Sequence, residues 1–349
     1  MAASTATGSG AAFKAAPNRR LRALIAFVAI SALLFAGLVW SVSIGSEPIG
    51  LRDIVVGIFN PADGNVHQLV VHLIRLPRAL LAGLVGATMA AAGVVMQSIT
   101  GNPLGAPEIM GVTAGAAVTV ALATTIVPSL SGVSTVFLAF GGGAVAAAFV
   151  FGIARYGRGG LSPVRLALAG VTISLLLFSL MQGLLIVFSQ NAELFFFWLI
   201  GGVNYAEWKD IRLVLPWMAA GLVLSMLLAA RLNVLALGDD VAKGLGQNVT
   251  RTRFLGAVCV VLLTGAAVGV AGPVAFIGLI TPHIVRRLIG SNHFVLLPVS
   301  MVLGATLFIY ADIGSRYLAE NVETPSGVVT ALIGAPFFVY LARREKLAG

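Results

Sequence analysis

The chain has 349 residues, of which 58% are hydrophobic and 10% charged, with a mean hydropathy of +1.00 and a formal net charge of +9. Soluble domains carry roughly a quarter charged residues, so this composition excludes a soluble fold. At about 20 residues per transmembrane helix the chain holds about ten spans and leaves no room for an appended enzyme domain. Backbone groups in hydrocarbon must pair internally, and the apolar runs lack the alternation of a barrel strand, so the expected fold class is an all-α polytopic membrane protein.

Residues 1–18, rich in Ala, Ser and Gly, read as a disordered tail. Arg19, Arg20 and Arg22 then precede an apolar run that continues to Ile44 without a small-residue cleavage site, so the run is read as a retained span. Spans are predicted over 21–44, 76–99, 110–127, 133–154, 163–189, 211–230, 254–272, 274–289, 295–318 and 326–342, within one membrane domain, 19–349. The 274–289 piece is too short to cross alone. An even number of spans puts both termini on one side, and 16 of the 22 Lys and Arg residues fall on that side, including Arg155, Arg158, Arg165, Arg231, Arg286, Arg287, Arg343, Arg344 and Lys346. Both termini are therefore expected to be cytoplasmic. Orientation and contact with anionic lipid account for the net charge, and no nucleic-acid partner is expected.

Candidate chemistry is sparse. Cys259 lies alone in an apolar run, and His67, His72, His283 and His293 do not form a ligand cluster. No Gly-x4-Gly-Lys-Ser/Thr loop and no His-Glu-x-x-His sequence occurs, so neither a phosphate-loop ATP site nor that type of zinc site is expected. Span centres such as 80–98, 168–188, 216–229 and 256–271 contain no ionisable residue, whereas ion-coupled transporters generally need one at depth. These observations point to a path for a large solute driven by a separate motor.

Four segments stand out. Gly101-Asn102-Pro103-Leu104-Gly105-Ala106-Pro107 breaks the backbone between two apolar runs, either as a plain turn or as a gate in which Asn102, Pro103 and Leu104 constrict the path. Residues 235–247 interrupt the cytoplasmic side with a short capped helix. Asp239 and Asp240 stand at its N-terminus, Val241, Ala242 and Leu245 offer an apolar face, and Gly244 or Gly246 ends it. Residues 271–287 turn at Gly272-Pro273 and carry Pro282 in a short returning helix; Arg286 and Arg287 read as orientation signals. On the opposite face Arg75, Arg78 and Arg316 present forks suited to carboxylates of a docking protein or to lipid headgroups.

The sequences RLPR at 75–78, GNPLGAPEIMGVTAG at 101–115, LSPVRLALAG at 161–170, LALGDDVAKGLG at 235–246, GPVAFIGLITPHIVRR at 272–287 and PSGVVTALIGAPFF at 325–338 together resemble the FecCD family of BtuC-like ABC-importer permeases. That resemblance implies ten spans per subunit and a homodimer or heterodimer of permeases. It also implies two cytoplasmic ATPases that hold the ATP and Mg, one extracytoplasmic binding protein, and an iron-siderophore, haem or cobalamin cargo. It assigns Leu237, Gly238, Asp239, Asp240, Lys243, Gly244 and Gly246 to the ATPase contact, Arg75, Arg78 and Arg316 to binding-protein docking, and Asn102, Pro103 and Leu104 to a gate. A second family gate element has small hydroxyl residues before the fifth span, where this chain carries Pro163-Val164 after Ser162. No cofactor is expected on this chain. The small-residue pairs Gly111/Gly115 and Gly265/Gly269 are candidates for close helix packing.

Overall fold

The computed structural model describes residues 19–45, 48–62, 64–127, 132–156, 163–187, 198–318 and 324–345, and these are helical with no strand among them. The predicted tail 1–18, Arg158, Ser162 and Lys346 lie outside the described residues. In chain order the helices are α1 (Arg19–Ser43), α2 (Leu51–Phe59), α3 (Val66–Thr100), α4 (Val112–Ile126), α5 (Gly132–Arg155) and α6 (Pro163–Val187). They continue as α7 (Trp208–Leu235), α8 (Asp239–Gly244), α9 (Val249–Ala271), α10 (Ile277–Ile289), α11 (His293–Leu318) and α12 (Ser326–Glu345). Among the described residues seven helices are long and apolar enough to cross a bilayer: α1, α3, α5, α6, α7, α9 and α11. With α4, α10 and α12 they account for the ten predicted spans. The short helix α2 and the first turns of α3 fall outside the predicted spans, because their apolar residues occur in stretches too brief to read as membrane segments.

The hub is α3, which packs against α11, α9, α10 and α7. Of its most apolar window 78% is buried inside the protein, against 11% for α1 and 17% for α6. Its Ala- and Gly-rich sequence permits this, because small residues let backbones approach where lipid offers no hydrophobic drive for association. A Cβ on Gly86 would overlap the Gly304 carbonyl of α11, and one on Gly93 would overlap the Gly278 carbonyl of α10. A third seam joins α4 to α5 at Gly115 and Gly142, so Gly115 does mediate a close approach. Gly111 instead breaks the chain ahead of α4 with φ 70°, and a Cβ on Gly265 or Gly269 would lie 3.1 Å from the Phe140 or Val136 side chain, respectively.

Proline leaves orphan carbonyls that other side chains answer. Val71–Arg75 forms a π turn just before Pro77, which has no N–H to give. The His72 carbonyl, the π-register partner of Pro77, accepts from Trp208 Nε1 at 2.8 Å. In α10, Pro282 leaves the Gly278 carbonyl without its helical donor, and the Gln97 amide faces it at 3.5 Å. Arg286 Nη1 donates to Gln97 Oε1 at 2.8 Å, so Arg286, read from sequence as an orientation signal, also positions the core of α3.

Candidate functional site

The alternating helices gather the ends of α3, α5, α7, α10 and α12 and the starts of α1, α6, α9 and α11 on one face, here termed the basic face. There α3 stops at Gly101, whose φ of 60° favours glycine. Asn102 Oδ1 accepts from Leu104 N at 2.9 Å and Asn102 O from Gly105 N at 2.9 Å, which folds Asn102, Pro103 and Leu104 into a tight turn. The chain then climbs back beside α3. A Cβ on Gly105 would lie 3.5 Å from Gln97 Cα, and one on Gly278, which faces Gly93, would lie 3.0 Å from Pro107 Cδ. Gly93 is seven residues before Thr100, so Pro107 stands about 10 Å inside the basic face. The segment is re-entrant, and its irregular backbone is tolerated because protein surrounds it. It explains why α4, with 15 residues, is short: the helix starts at depth.

Glu108 lies in the 3-10 turn Pro107–Met110 of this segment, and its Oε1 is buried without a hydrogen-bond partner. The spans themselves read correctly as uncharged at their centres. This acid escaped because it sits in the proline-broken stretch between two apolar runs.

The 235–247 interruption folds as a knob on the basic face. Asp239 opens α8, Gly238 precedes it with φ 101° and Gly246 follows it with φ 80°, which explains those two glycines; a Cβ on Gly244 would meet nothing within 4 Å. Asp240 and Lys243 form an exposed pair at 3.5 Å, worth little in stability. The expected apolar face needs one correction, because Ala242 is fully buried and seats the knob. Leu237, Val241 and Leu245, four residues apart, are instead the exposed ridge, at 61%, 49% and 65% exposure. Gln247 Nε2 donates to Arg231 O and Thr252 Oγ1, both at 3.0 Å, fastening the knob to α7 and α9.

On the opposite face the three arginines do not project as the sequence reading expected. Arg75 and Arg78 are 5% and 7% exposed. Arg78 Nε lies 3.1 Å from both oxygens of Asp312, and its Nη2 lies 3.0 Å from Oδ1. Arg316 Nη2 donates to Asp312 Oδ2 at 2.6 Å, and its Nη1 to Ser41 O at 2.8 Å. Arg75 Nη1 reaches Ser43 O at 2.8 Å and Val42 O at 3.2 Å. The physical reason is the end of α1, whose last carbonyls have no helical donors and whose dipole attracts cations. Asp312 is the buried anion that Arg78 and Arg316 share.

The exposed side of α6 carries Thr172, Ser179 and Gln182 among Leu168, Leu175 and Ile186. Spaced three or four residues apart, these six share one stripe. Exposed polar groups within a span suit a hydrated path or a partner helix better than lipid. The polarity is too dilute among leucines to announce itself in the sequence.

A profile of the FecCD transport family matches residues 33–344. Over 329 residues the chain is 44% identical to the iron(3+)-hydroxamate import system permease protein FhuB of Bacillus subtilis, covering 94% of this chain and 85% of that protein. It is 42% identical over 279 residues to the Fe(3+) dicitrate transport system permease protein FecC of Escherichia coli, covering 80% and 84%. It is 38% identical over 281 residues to the cobalamin import system permease protein BtuC of Halobacterium salinarum, covering 80% and 75%. Its structure matches a metal-chelate type ABC transporter solved in an inward-facing conformation, with a TM-score of 0.80 and 31% identity over 91% of this chain and 98% of that one. A chain matched along nearly its whole length by a transport-permease profile, and by such a structure, belongs to the FecCD transport family.

Proposed function

We propose that this chain is the membrane-spanning subunit of an ATP-driven importer that passes a ferric siderophore chelate across the cytoplasmic membrane, with its basic face and both termini in the cytoplasm. The observation that carries the reading is the exposed Leu237/Val241/Leu245 ridge on a knob whose other side is locked to α7 and α9. A rigid apolar ridge on a polar face suits a cleft on a motor subunit, and this reading assigns two such ATPases to a pair of permeases. The α6 stripes of the pair face each other across the path, and Asn102, Pro103 and Leu104 close its basic end. The names of the relatives support a ferric chelate as cargo. Similarity to a cobalamin permease supports cobalamin as the second reading.

An extracytoplasmic binding protein delivers the chelate and docks on the face that carries Arg75, Arg78 and Arg316. The solute then crosses without tight binding, since closure of a two-state gate needs only contacts that differ between the states. The test is uptake by a strain lacking this chain. Loss of ferric hydroxamate or ferric citrate uptake, restored by the intact gene, is expected, with haem and cobalamin uptake unchanged. Loss confined to cobalamin or haem would reassign the cargo. Replacing Val241 and Leu245 together with Asp is expected to abolish co-purification of the ATPase while the permease still folds; retained co-purification would remove the knob from that contact.

A further inference from the structure

Arg253 of α9 is 5% exposed and holds two distant elements at once. Its Nη2 donates to Asp239 Oδ1 at 2.8 Å, and its Nε donates to the Ile99 carbonyl at 3.1 Å. Asp239 is the first residue of α8, the helix at the centre of the exposed ridge. Ile99 is the next-to-last residue of α3, two before Gly101, where the re-entrant segment begins. One guanidinium therefore joins the knob to the root of the segment bearing Asn102, Pro103 and Leu104.

We propose that Arg253 is the transmission residue of the permease: displacement of α8 by the motor reaches the re-entrant segment through Asp239, Arg253 and the end of α3. This rests on reading α8 as the ATPase contact. Capping alone would require only the Ile99 bond, since that carbonyl belongs to the last turn of α3 and a cation is favoured there. The additional bond to Asp239 is what makes the cap follow α8. A planar guanidinium fixes the angle between its two acceptors, whereas an ammonium is a point charge on a flexible stem, so arginine transmits direction as well as attraction. Gln247 bonds to Arg231 of α7 and Thr252 of α9, whereas the bonds of Arg253 run from α8 to the end of α3. Arg253 touches no solute and acts as a positioning residue.

The experiment uses the whole transporter, with its ATPase and binding protein, in liposomes, measuring ferric hydroxamate uptake and ATP hydrolysis together. Arg253→Ala is expected to leave the ATPase bound and hydrolysing within about twofold of wild type while solute moved per ATP falls at least tenfold (about 1.4 kcal/mol per factor of ten). Arg253→Lys, which retains the charge but loses the fork, is expected to fall between the two and covers the case in which the alanine variant fails to assemble. A spin label at Ala106→Cys in a Cys259→Ser background is expected to change mobility on nucleotide binding in otherwise wild-type protein, and to lose that response with Arg253→Ala or Arg253→Lys. Parallel loss of uptake and hydrolysis at a constant ratio, or a preserved label response in both variants, would reduce Arg253 to a structural cap and overturn the proposal. Failure of the ATPase to accompany even the wild-type chain would instead refute the underlying reading of α8.

Discussion

Asp312→Ala is expected to be among the most destabilising single substitutions in this permease. Asp312 is fully buried and accepts from Arg78 and Arg316, both nearly buried. Removing one partner of a buried ion pair strands the other charge, at a cost of about 3–5 kcal/mol, more than the pair itself contributes over a well-packed apolar replacement. Here two guanidinium groups lose their shared anion, and the grip on the end of α1 through Ser41 and Ile44 loosens with them. Cys259 is fully buried and is the only cysteine in the chain, so reaction of a thiol dye during heating reports unfolding. A large drop in the melting temperature of Asp312→Ala is expected, partly reversed when Arg316→Ala is added. A melting temperature equal to wild type would mean that water or lipid headgroups satisfy the arginines unaided. By the same reasoning Arg78→Glu would set two carboxylates together in the interior, so lost docking in that variant would not by itself assign Arg78 to a partner.

Gly93→Val is expected to separate α3 from α10. Even a Cβ at this position would overlap the Gly278 backbone, and backbone, unlike the far end of a flexible side chain, has no rotamer to retreat into. Overpacking costs typically about 1–3 kcal/mol where neighbours can shift; a rigid helix–helix seam puts this site at or beyond the upper end of that range. Pro107 rests against the same Gly278, so the displacement also reaches the re-entrant segment. The expected result is a lower melting temperature together with lost uptake. Gly141→Ala serves as the control, because nothing lies within 4 Å of a Cβ there. Equal behaviour of the two variants would show that α3 and α10 have freedom that the seam denies them.

The spans were legible because long uncharged runs admit little else, and the observed helix ends lie within about five residues of the predicted ones except at the start of α3, which begins ten residues earlier. The knob was legible from Asp239, Asp240 and Gly246, which mark helix ends by local chemistry. Its exposed ridge was only partly so, because a six-residue helix offers too little periodicity to tell Ala242 from Val241. The fate of the arginines was not legible, since Asp312 lies 234 residues from Arg78 in sequence. Gly86 and Gly93 are seven residues apart and face different helices, so a search for GxxxG passes over both. Glu108 and the climb of its segment were hidden for a related reason: hydropathy measures runs, whereas a re-entrant segment is defined by the helices it lies against.

The shortness of α4 and α10 bears on how the protein enters its membrane. At 15 and 13 residues they extend about 22 and 20 Å, too short to cross a hydrocarbon core of about 30 Å. Neither can leave the insertion machinery as an independent span, because the irregular backbone at its start would meet lipid with its polar groups unpaired. Each must be covered by its neighbours first, α10 by α3 and α11, α4 by α5 and α6. For α10 the α3 shelter has already been synthesised, whereas the helices that cover α4, namely α5 and α6, follow it in the chain. Insertion of this permease is therefore not strictly span by span: α4 settles in the bilayer only once the two segments after it have arrived.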